Sequence, residues 1–222
     1  MDKKVVDNLA GKPEAIVITE PNFVTASIPV ESTAPFVFNK FSARSQSLMI
    51  EKQEAGQQAK NRRKRDPKDF DKIWRETVHY SEEGWHGFPA ASIRNALIEA
   101  CKTVSFKMTI AKLSIFVEAD GYDATDGQPL VKMLGDTPAR FDAPVRIAMG
   151  STDIATRGRV KKWTANLRVR WDADQFSATD VMNLMARAGE QVGIGAGRPA
   201  SRTSTGMGWG TFKLNVAKPK RS

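Results

Sequence analysis

The chain of 222 residues is 41% hydrophobic and 27% charged, as is typical of a soluble globular domain. No run of about 18 apolar residues occurs, which excludes a membrane-spanning helix. The single cysteine, Cys101, excludes an internal disulfide and a zinc site of clustered cysteines. Because the N-terminus also lacks the apolar middle of a signal peptide, we expect a cytoplasmic protein.

Positive charge is concentrated in the C-terminal part of the chain. Lys and Arg number 34 and Asp and Glu number 25, a formal net charge of +9. Residues 1–139 hold 19 basic and 19 acidic residues, so the excess comes from residues 140–222, with 15 basic and 6 acidic residues. This asymmetry indicates a polyanion, either nucleic acid or an anionic membrane surface, although a solvated basic surface gives the same pattern.

The chain begins with a predicted loose tail at residues 1–13, followed by extended segments rich in Val, Ile, Thr and Phe. These predicted strands are residues 14–19, 23–30 and 34–41. In the third strand, a period of two places Phe36, Phe38 and Lys40 on one face.

An inserted arm is predicted at about residues 51–75, where apolar residues are few. It contains a basic run, Arg62, Arg63, Lys64 and Arg65. The arm is either a mobile solvated loop or a finger that lies on a partner.

A helix is predicted at residues 89–102, with Pro89 in its first turn. Helical spacing places four residues on its buried face: Ile93, Leu97, Ile98 and Cys101. A strand is predicted at 112–119, followed by a polar turn. The strand fragments predicted within 129–149 are separated by Gly135, Pro138 and Pro144.

Residues 163–171 form the clearest predicted strand, because apolar and polar residues alternate without interruption. Trp163, Leu167 and Trp171 lie on its core face, whereas Arg168 and Arg170 lie on its polar face. Ser177 and Asp180 then predict a capping box for a helix that ends at Gly189. The last predicted strand is 209–216.

The order of these elements predicts an α+β fold with a ferredoxin-like or RRM-like core, βαββαβ, on an antiparallel sheet. The extra strands and the basic arm are additions to that core. We expect a single domain at residues 14–216 and a basic C-terminal tail at residues 217–222.

Catalytic motifs are nearly absent from the sequence. Its two histidines, His79 and His86, form no HExxH motif, and no GxSxG turn or Walker A sequence occurs. One acidic cluster could bind a divalent ion, but it lacks the EF-hand spacing and a polar turn is the favoured explanation. It comprises Glu118, Asp120, Asp123 and Asp126. We therefore expect no cofactor, no metal and no catalytic residue, with a metal-dependent nuclease as an alternative.

A glycine-rich segment near the C-terminus is the strongest functional signal. Six of the 16 glycines lie within 18 residues, namely Gly193, Gly195, Gly197, Gly206, Gly208 and Gly210. Arg198 and Arg202 lie in the same segment, with hydroxyl residues between them. Backbone N–H groups, hydroxyls and guanidinium groups together bind phosphate oxygens. The segment is predicted to contact phosphate; the alternative is a flexible surface loop.

A second basic strip comprises Arg157, Arg159, Lys161 and Lys162, and it leads into the strand that bears Arg168 and Arg170. On an RRM-like sheet, exposed basic and aromatic groups bind single strands. Because Trp163 and Trp171 share the buried parity, stacking aromatics are expected elsewhere. The candidates are Trp74, Trp85 and Trp209.

The segment GWHGFPAASIRNALIEA resembles the start of the first helix in the RAMP superfamily, the backbone proteins of CRISPR effector complexes. Pro89, Ser92 and Arg94 stand at the turn positions, with Ala90 and Ala91 where Gly or Ser is usual. GIGAGRP and GMGWGTF are similar to the RAMP glycine-rich loop. Residues 33–216 also resemble a group of uncharacterised tailed-phage proteins, through TAPFVFNKFS, DPKDF, GFPAASIRNAL, VRIAMGSTDI and GIGAGRP.

The RAMP resemblance implies a hand-shaped subunit that oligomerises along single-stranded RNA, with the arm as finger or thumb. The phage resemblance implies the cytoplasm of a bacterial host cell. The RAMP resemblance also implies phosphate contacts by six residues: Lys40, Arg44, Ser92, Arg94, Arg198 and Arg202. Some relatives cut RNA with an aspartate of an early loop, and here no aspartate occurs between Asp7 and Asp66.

We therefore expect a non-catalytic protein that binds single-stranded RNA or DNA as a homo-oligomer or filament, without a membrane partner. The alternative from another class is a self-assembling scaffold protein.

Overall fold

The computed structural model describes residues 20–41, 69–146, 152–201 and 206–215, with isolated positions at 47, 49, 50 and 53. These residues form a mixed α+β fold with antiparallel sheets and four α-helices. Several predictions fall outside the described residues: the strand at 14–19, the tails at 1–13 and 217–222, most of the arm, and the residues Arg44, Arg62, Arg63, Lys64, Arg65 and Arg202.

The strands are β1 (Phe23–Ser32), β2 (Phe36–Val37), β3 (His79–Tyr80), β4 (His86–Pro89), β5 (Ile115–Val117), β6 (Gly121–Tyr122), β7 (Pro129–Lys132), β8 (Leu134–Gly135), β9 (Ala139–Arg146), β10 (Thr152–Val160), β11 (Trp163–Asp172) and β12 (Phe212–Leu214). The helices are α1 (Phe70–Glu76), α2 (Ala90–Ala100), α3 (Met108–Ser114) and α4 (Ala178–Arg187). Among the helices described, none is long and apolar enough to cross a membrane.

Three antiparallel sheets organise these strands. The largest has the order β12-β1-β11-β5, and β8 pairs with the start of β11. A second sheet has the order β2-β10-β9, and a third has the order β3-β4-β7-β6. The first two sheets carry the basic residues considered below.

The core lies on one face of the largest sheet. Along β11 the residues alternate between buried and exposed, which confirms the strand predicted at 163–171. Trp163, Leu167 and Val169 point into a hydrophobic cluster that includes Ile93 of α2 and Met185 of α4. Arg168 and Arg170 therefore project from the opposite face of the sheet.

Both main predicted helices are present, but the second ends later than predicted. Helix α2 confirms the helix at 89–102, and Cys101 is buried in the 3₁₀ turn that follows. The capping box of Ser177 and Asp180 is also confirmed. Gly189 is not the stop, because a π-helical turn continues to Val192 and ends at Gly193. A Cβ at Gly189 would lie 2.2 Å from the Phe212 carbonyl oxygen, so close packing explains this glycine.

Some predicted strands are shorter than expected or helical because of long-range contacts. Residues 112–114 belong to α3 rather than to a strand. The Arg94 guanidinium donates to the carbonyl oxygens of Lys112 and Ile115. These hydrogen bonds provide partners for carbonyl groups at the C-terminal end of α3 that lack a partner within the helix. Pro144 does not break β9, where it pairs with Ile154.

The strand predicted at 34–41 is confined to β2, although Phe36 and Phe38 are both buried as their shared face predicts. The strand predicted at 209–216 is confined to β12 among the described residues, because Trp209 and Gly210 form a turn.

Candidate nucleic-acid interface

One basic and aromatic surface, the hairpin cluster, consists of Phe141, Arg157, Arg159 and Trp209. In the β9–β10 hairpin Phe141 lies directly opposite Arg157, so both side chains share one face. The Arg159 guanidinium lies 4.2 Å from the centre of the Phe141 ring. Trp209 meets Phe141 edge to face, with 5.2 Å between the ring centres. The cluster thus unites the two arginines of the predicted basic strip with one of the three predicted aromatic candidates, Trp209.

The glycine-rich segment lies against this sheet because its backbone pairs with β2. The Ala196 N–H donates to the Val37 carbonyl oxygen at 2.9 Å, and Val37 lies opposite Arg159. Gly197 has a φ of +67°, and a Cβ there would lie 2.5 Å from the Trp209 ring. Gly197 is therefore required for the position of Trp209, a structural reason that is independent of phosphate.

The other predicted loop residues are also arranged by local backbone geometry. Gly193, Gly195, Gly206 and Gly208 all have positive φ. The Arg198 guanidinium donates to the Gly195 carbonyl oxygen at 3.4 Å and is half-buried. Arg198 thus lies beside the hairpin cluster, one residue after Gly197.

Arg157 and Arg159 have no carboxylate partner among the described residues, whereas Arg140 of the same hairpin has two. Arg140 contacts Asp142 at 3.0 Å and Asp71 at 3.3 Å. Burial lowers the pKa of the Arg157 guanidinium from its ordinary value, yet arginine stays charged at neutral pH. The hairpin cluster therefore carries two positive charges that no described acidic group offsets.

A second surface, the sheet-face cluster, consists of Phe23, Arg94, Phe116 and Arg170. Arg170 of β11 lies opposite Phe116 of β5. Its guanidinium lies 4.8 Å from the Phe23 ring centre and 5.2 Å from that of Phe116. The two rings meet edge to face at 5.7 Å, and Arg94 lies 5.1 Å from the Phe116 ring. The strand register thus places Arg170 against Phe116, and Arg94 reaches the same ring from α2.

Arg168 lies two residues before Arg170 on the same face but is neutralised. Its guanidinium lies 4.0 Å from Glu118 and 3.7 Å from Asp120, and it donates to the Ala119 carbonyl oxygen. The predicted acidic cluster is therefore not one site, because Glu118 and Asp120 lie beside Arg168 whereas Asp123 contacts Lys40 and His79. Phosphate contact by Arg168 is therefore opposed by two neighbouring carboxylates.

Lys40 lies in the interior rather than on a phosphate-facing surface. Its ammonium is 2.5 Å from Asp123 Oδ1, and its side chain is only 8% exposed. His79 Nδ1 lies 2.8 Å from the other carboxylate oxygen of Asp123. The resemblance implied that Lys40 contacts phosphate, but in this structure Asp123 engages its charge.

The pKa values of this buried group follow from its contacts. Burial, together with the Lys40 charge, lowers the pKa of His79 against the opposing effect of Asp123. Burial opposes ionisation of Asp123, but hydrogen bonds from Lys40, the Thr125 backbone and His79 outweigh it and lower the pKa of Asp123. The group is thus a neutral His79 beside a Lys40–Asp123 ion pair at neutral pH.

Three potential metal ligands meet at this buried group. Ligand atoms of His79, Asp123 and Asp126 lie within 4.8 Å of one another. The negative charge of Asp123 is already balanced by the Lys40 ammonium, which is in direct contact with Asp123 Oδ1. These residues could hold a cation only at the expense of that ion pair.

The remaining predicted residues belong to neither cluster. Ser92 is half-buried in the first turn of α2, and Lys161 is exposed in the turn between β10 and β11. Trp74 packs against the core, and Trp85 donates from Nε1 to Glu83 at 3.0 Å. Neither tryptophan therefore contributes a ring to the hairpin cluster or the sheet-face cluster.

Sequence reasoning missed three phenylalanines, Phe23, Phe116 and Phe141. A usable signal existed for Phe23, because a period of two places it with Thr25 and Ser27 on the polar face of β1. Phe116 and Phe141 meet the arginines only through pairing between strands distant in sequence.

No family model matches this chain, and no curated protein matches it either.

Proposed function

We propose that this protein is a non-catalytic binder of single-stranded nucleic acid. The observation that carries the proposal is the hairpin cluster, where Arg157 and Arg159 lie beside the rings of Phe141 and Trp209 without described carboxylate partners. Guanidinium groups bind phosphate oxygens, and neighbouring rings accept unpaired bases. The basic excess of residues 140–222 supplies attraction over a longer range.

The chain topology supports a ferredoxin-like core within this proposal. Helix α2 lies between β1 and β5 in the chain, and α4 lies between β11 and β12. The sheet order β12-β1-β11-β5 is the order expected when two such βαβ units interleave. This strand order agrees with the proposed likeness to RAMP backbone subunits, and oligomerisation along one strand is proposed from that likeness.

Titration of the full chain with fluorescently labelled single strands tests the proposal. The probes are single-stranded RNA and DNA of about 20 nucleotides, a length that exceeds a typical single-strand binding site. A duplex of the same length is the control. We expect binding of single strands that weakens steeply between about 50 mM and about 200 mM salt. Absence of binding at the lower salt concentration, with an oligomer that salt does not dissociate, would overturn the proposal in favour of a scaffold protein.

Cleavage is measured in the same samples. Intact oligonucleotides after incubation with Mg²⁺ or Mn²⁺ are the expected result. Divalent-dependent cleavage that Asp126→Asn abolishes would instead identify a metal-dependent nuclease, because Asp126 is the exposed member of the group His79, Asp123 and Asp126.

A further inference from the structure

We propose that the sheet-face cluster is a second contact surface, on which an unpaired nucleobase stacks against Phe23 and Arg170. This inference rests on the proposed function and adds a second base-stacking surface to the phosphate and ring contacts of the hairpin cluster. It assigns a binding role to Phe23 and Phe116, which the sequence analysis did not include.

The first step is the exposure of an aromatic ring on an otherwise polar strand face. Phe23 is 37% exposed at the start of β1, on the same face as Thr25 and Ser27. The hydrophobic core lies on the opposite side of this sheet, where Ile28 and Val30 point. Phe23 therefore contributes little to the core, and its ring is available to a planar partner.

The second step is the fixed orientation of Arg170. Its guanidinium contacts two rings at once, 4.8 Å from Phe23 and 5.2 Å from Phe116. Cation–π contacts with both rings restrict the arginine side chain, so that less conformational entropy is lost when a ligand binds. A guanidinium held in this way is a flat, charged surface, and bases stack on guanidinium planes as well as on aromatic rings.

The third step is the distribution of charge along the same face. Arg170 has no carboxylate partner among the described residues, whereas Arg168 lies close to Glu118 and Asp120. Two carboxylates thus face Arg168 at one end, whereas one carboxylate, Asp172, lies opposite Phe23 at the Arg170 end and accepts backbone hydrogen bonds from Asn22 and Asp174. Arg94 adds a second positive charge at the Arg170 end, next to Phe116.

Together these features favour an unpaired base over other anionic ligands. An acidic peptide or an isolated phosphate needs the positive charge but not the rings. In a duplex the base faces are covered by their neighbours, so that stacking on Phe23 is possible only for a single strand. The sheet-face cluster therefore accounts for a preference for single strands.

The test compares two labelled strands with equal numbers of phosphates, one carrying bases and one abasic, in anisotropy titrations of the full chain. Phe23→Ala is expected to weaken binding of the base-carrying strand by about 5- to 100-fold, the range for loss of one stacked base. Binding of the abasic strand should be unchanged. Phe23→Tyr, which keeps the ring, should bind the base-carrying strand like the original protein.

A second variant separates charge from stacking. Arg170→Lys keeps the positive charge but loses the planar group, so it should weaken binding of the base-carrying strand and leave the abasic strand unaffected. Thermal unfolding of each variant verifies that the fold is intact. Equal effects of Phe23→Ala on both strands, or no effect on either, would overturn the stacking surface alone. If the original protein binds neither strand at low salt, the proposed function fails as well.

Discussion

Lys40 Nζ lies 2.5 Å from Asp123 Oδ1, and neither side chain is more than 8% exposed. The other carboxylate oxygen, Oδ2, accepts a hydrogen bond from the Nδ1–H of His79 at 2.8 Å. Lys40 precedes the segment that contains the predicted arm, and His79 follows it. The chain on either side of that segment therefore converges on one buried carboxylate.

Replacement of one partner should reveal how strongly this buried ion pair stabilises the fold. Lys40→Met is expected to lower the free energy of unfolding by about 3–5 kcal/mol, because Asp123 would stay buried without its counter-charge. Urea denaturation measures the change. The matched control is Lys213→Met, whose ion pair with Glu31 at 2.9 Å is far more exposed, and about 0–1 kcal/mol is expected. Equal losses in the two variants would contradict a special role for the buried pair.

Stability should also decrease in mild acid because of His79. Its pKa in the folded protein is lowered from 6.5, so the unfolded chain binds more protons than the folded one as the pH falls below 6.5. Protonation would add a positive charge beside Lys40 in a buried place. The free energy of unfolding is therefore expected to fall between about pH 7 and about pH 5. Asp123, whose pKa is lowered from 3.8, loses its contribution only in stronger acid.

Two histidine variants separate the contributions to that pH dependence. Burial also lowers the pKa of His86, so His86 acts in the same direction as His79. His79→Gln should reduce the slope of stability against pH, and the double variant with His86→Gln should reduce it further. Denaturant midpoints at a series of pH values provide the measurement. A slope that His79→Gln leaves unchanged would show that His79 is not responsible.

The local sequence pattern correctly predicted features that depend on a single strand or helix. The alternation along residues 163–171 predicted that Arg168 and Arg170 share an exposed face, and β11 confirms it. The pattern did not reveal that Arg168 is neutralised, because Glu118 reaches it through the pairing of β5 with β11. Charge compensation of this kind depends on strand register, and register is set by contacts between distant segments.

The glycine-rich segment is a second case in which contacts with distant residues could not be predicted from the local sequence. Its composition predicted a loop that approaches phosphate, but Gly197 is explained by the Trp209 ring and Gly210 by the Ile194 backbone. A sequence shows that a glycine is needed, whereas only the fold shows which atom the missing side chain would meet. In the same way, the RAMP resemblance implied a phosphate contact for Lys40, and the sequence did not show that Asp123, 83 residues away, engages its charge.

Substitution of Gly197 should disturb the hairpin cluster through Trp209. Gly197→Ala places a Cβ 2.5 Å from the Trp209 ring at a φ of +67°. Positive φ alone costs about 1–2 kcal/mol, and the steric conflict adds about 1–3 kcal/mol. Gly127→Ala is the matched control, because Gly127 has the same φ with no atom within 4 Å of the added Cβ.

Unfolding and oligonucleotide binding are measured for both glycine variants. Gly197→Ala should be the less stable variant and should also bind single strands more weakly, since Trp209 is displaced from Phe141. Gly127→Ala should lose stability only. Equal stability of the two variants would show that the Trp209 ring moves without cost.

The salt dependence of binding distinguishes the arginines of the hairpin. Arg157→Ala combined with Arg159→Ala should make the negative slope of log affinity against log salt concentration about 1.4 less steep, since each phosphate contact to a single strand contributes about 0.7. Arg140→Ala is the control in the same hairpin, because its guanidinium is held by Asp142 and Asp71. Its slope should stay close to that of the original protein. If Arg140→Ala changes the slope as much as the double variant, general positive charge rather than the hairpin cluster attracts the strand.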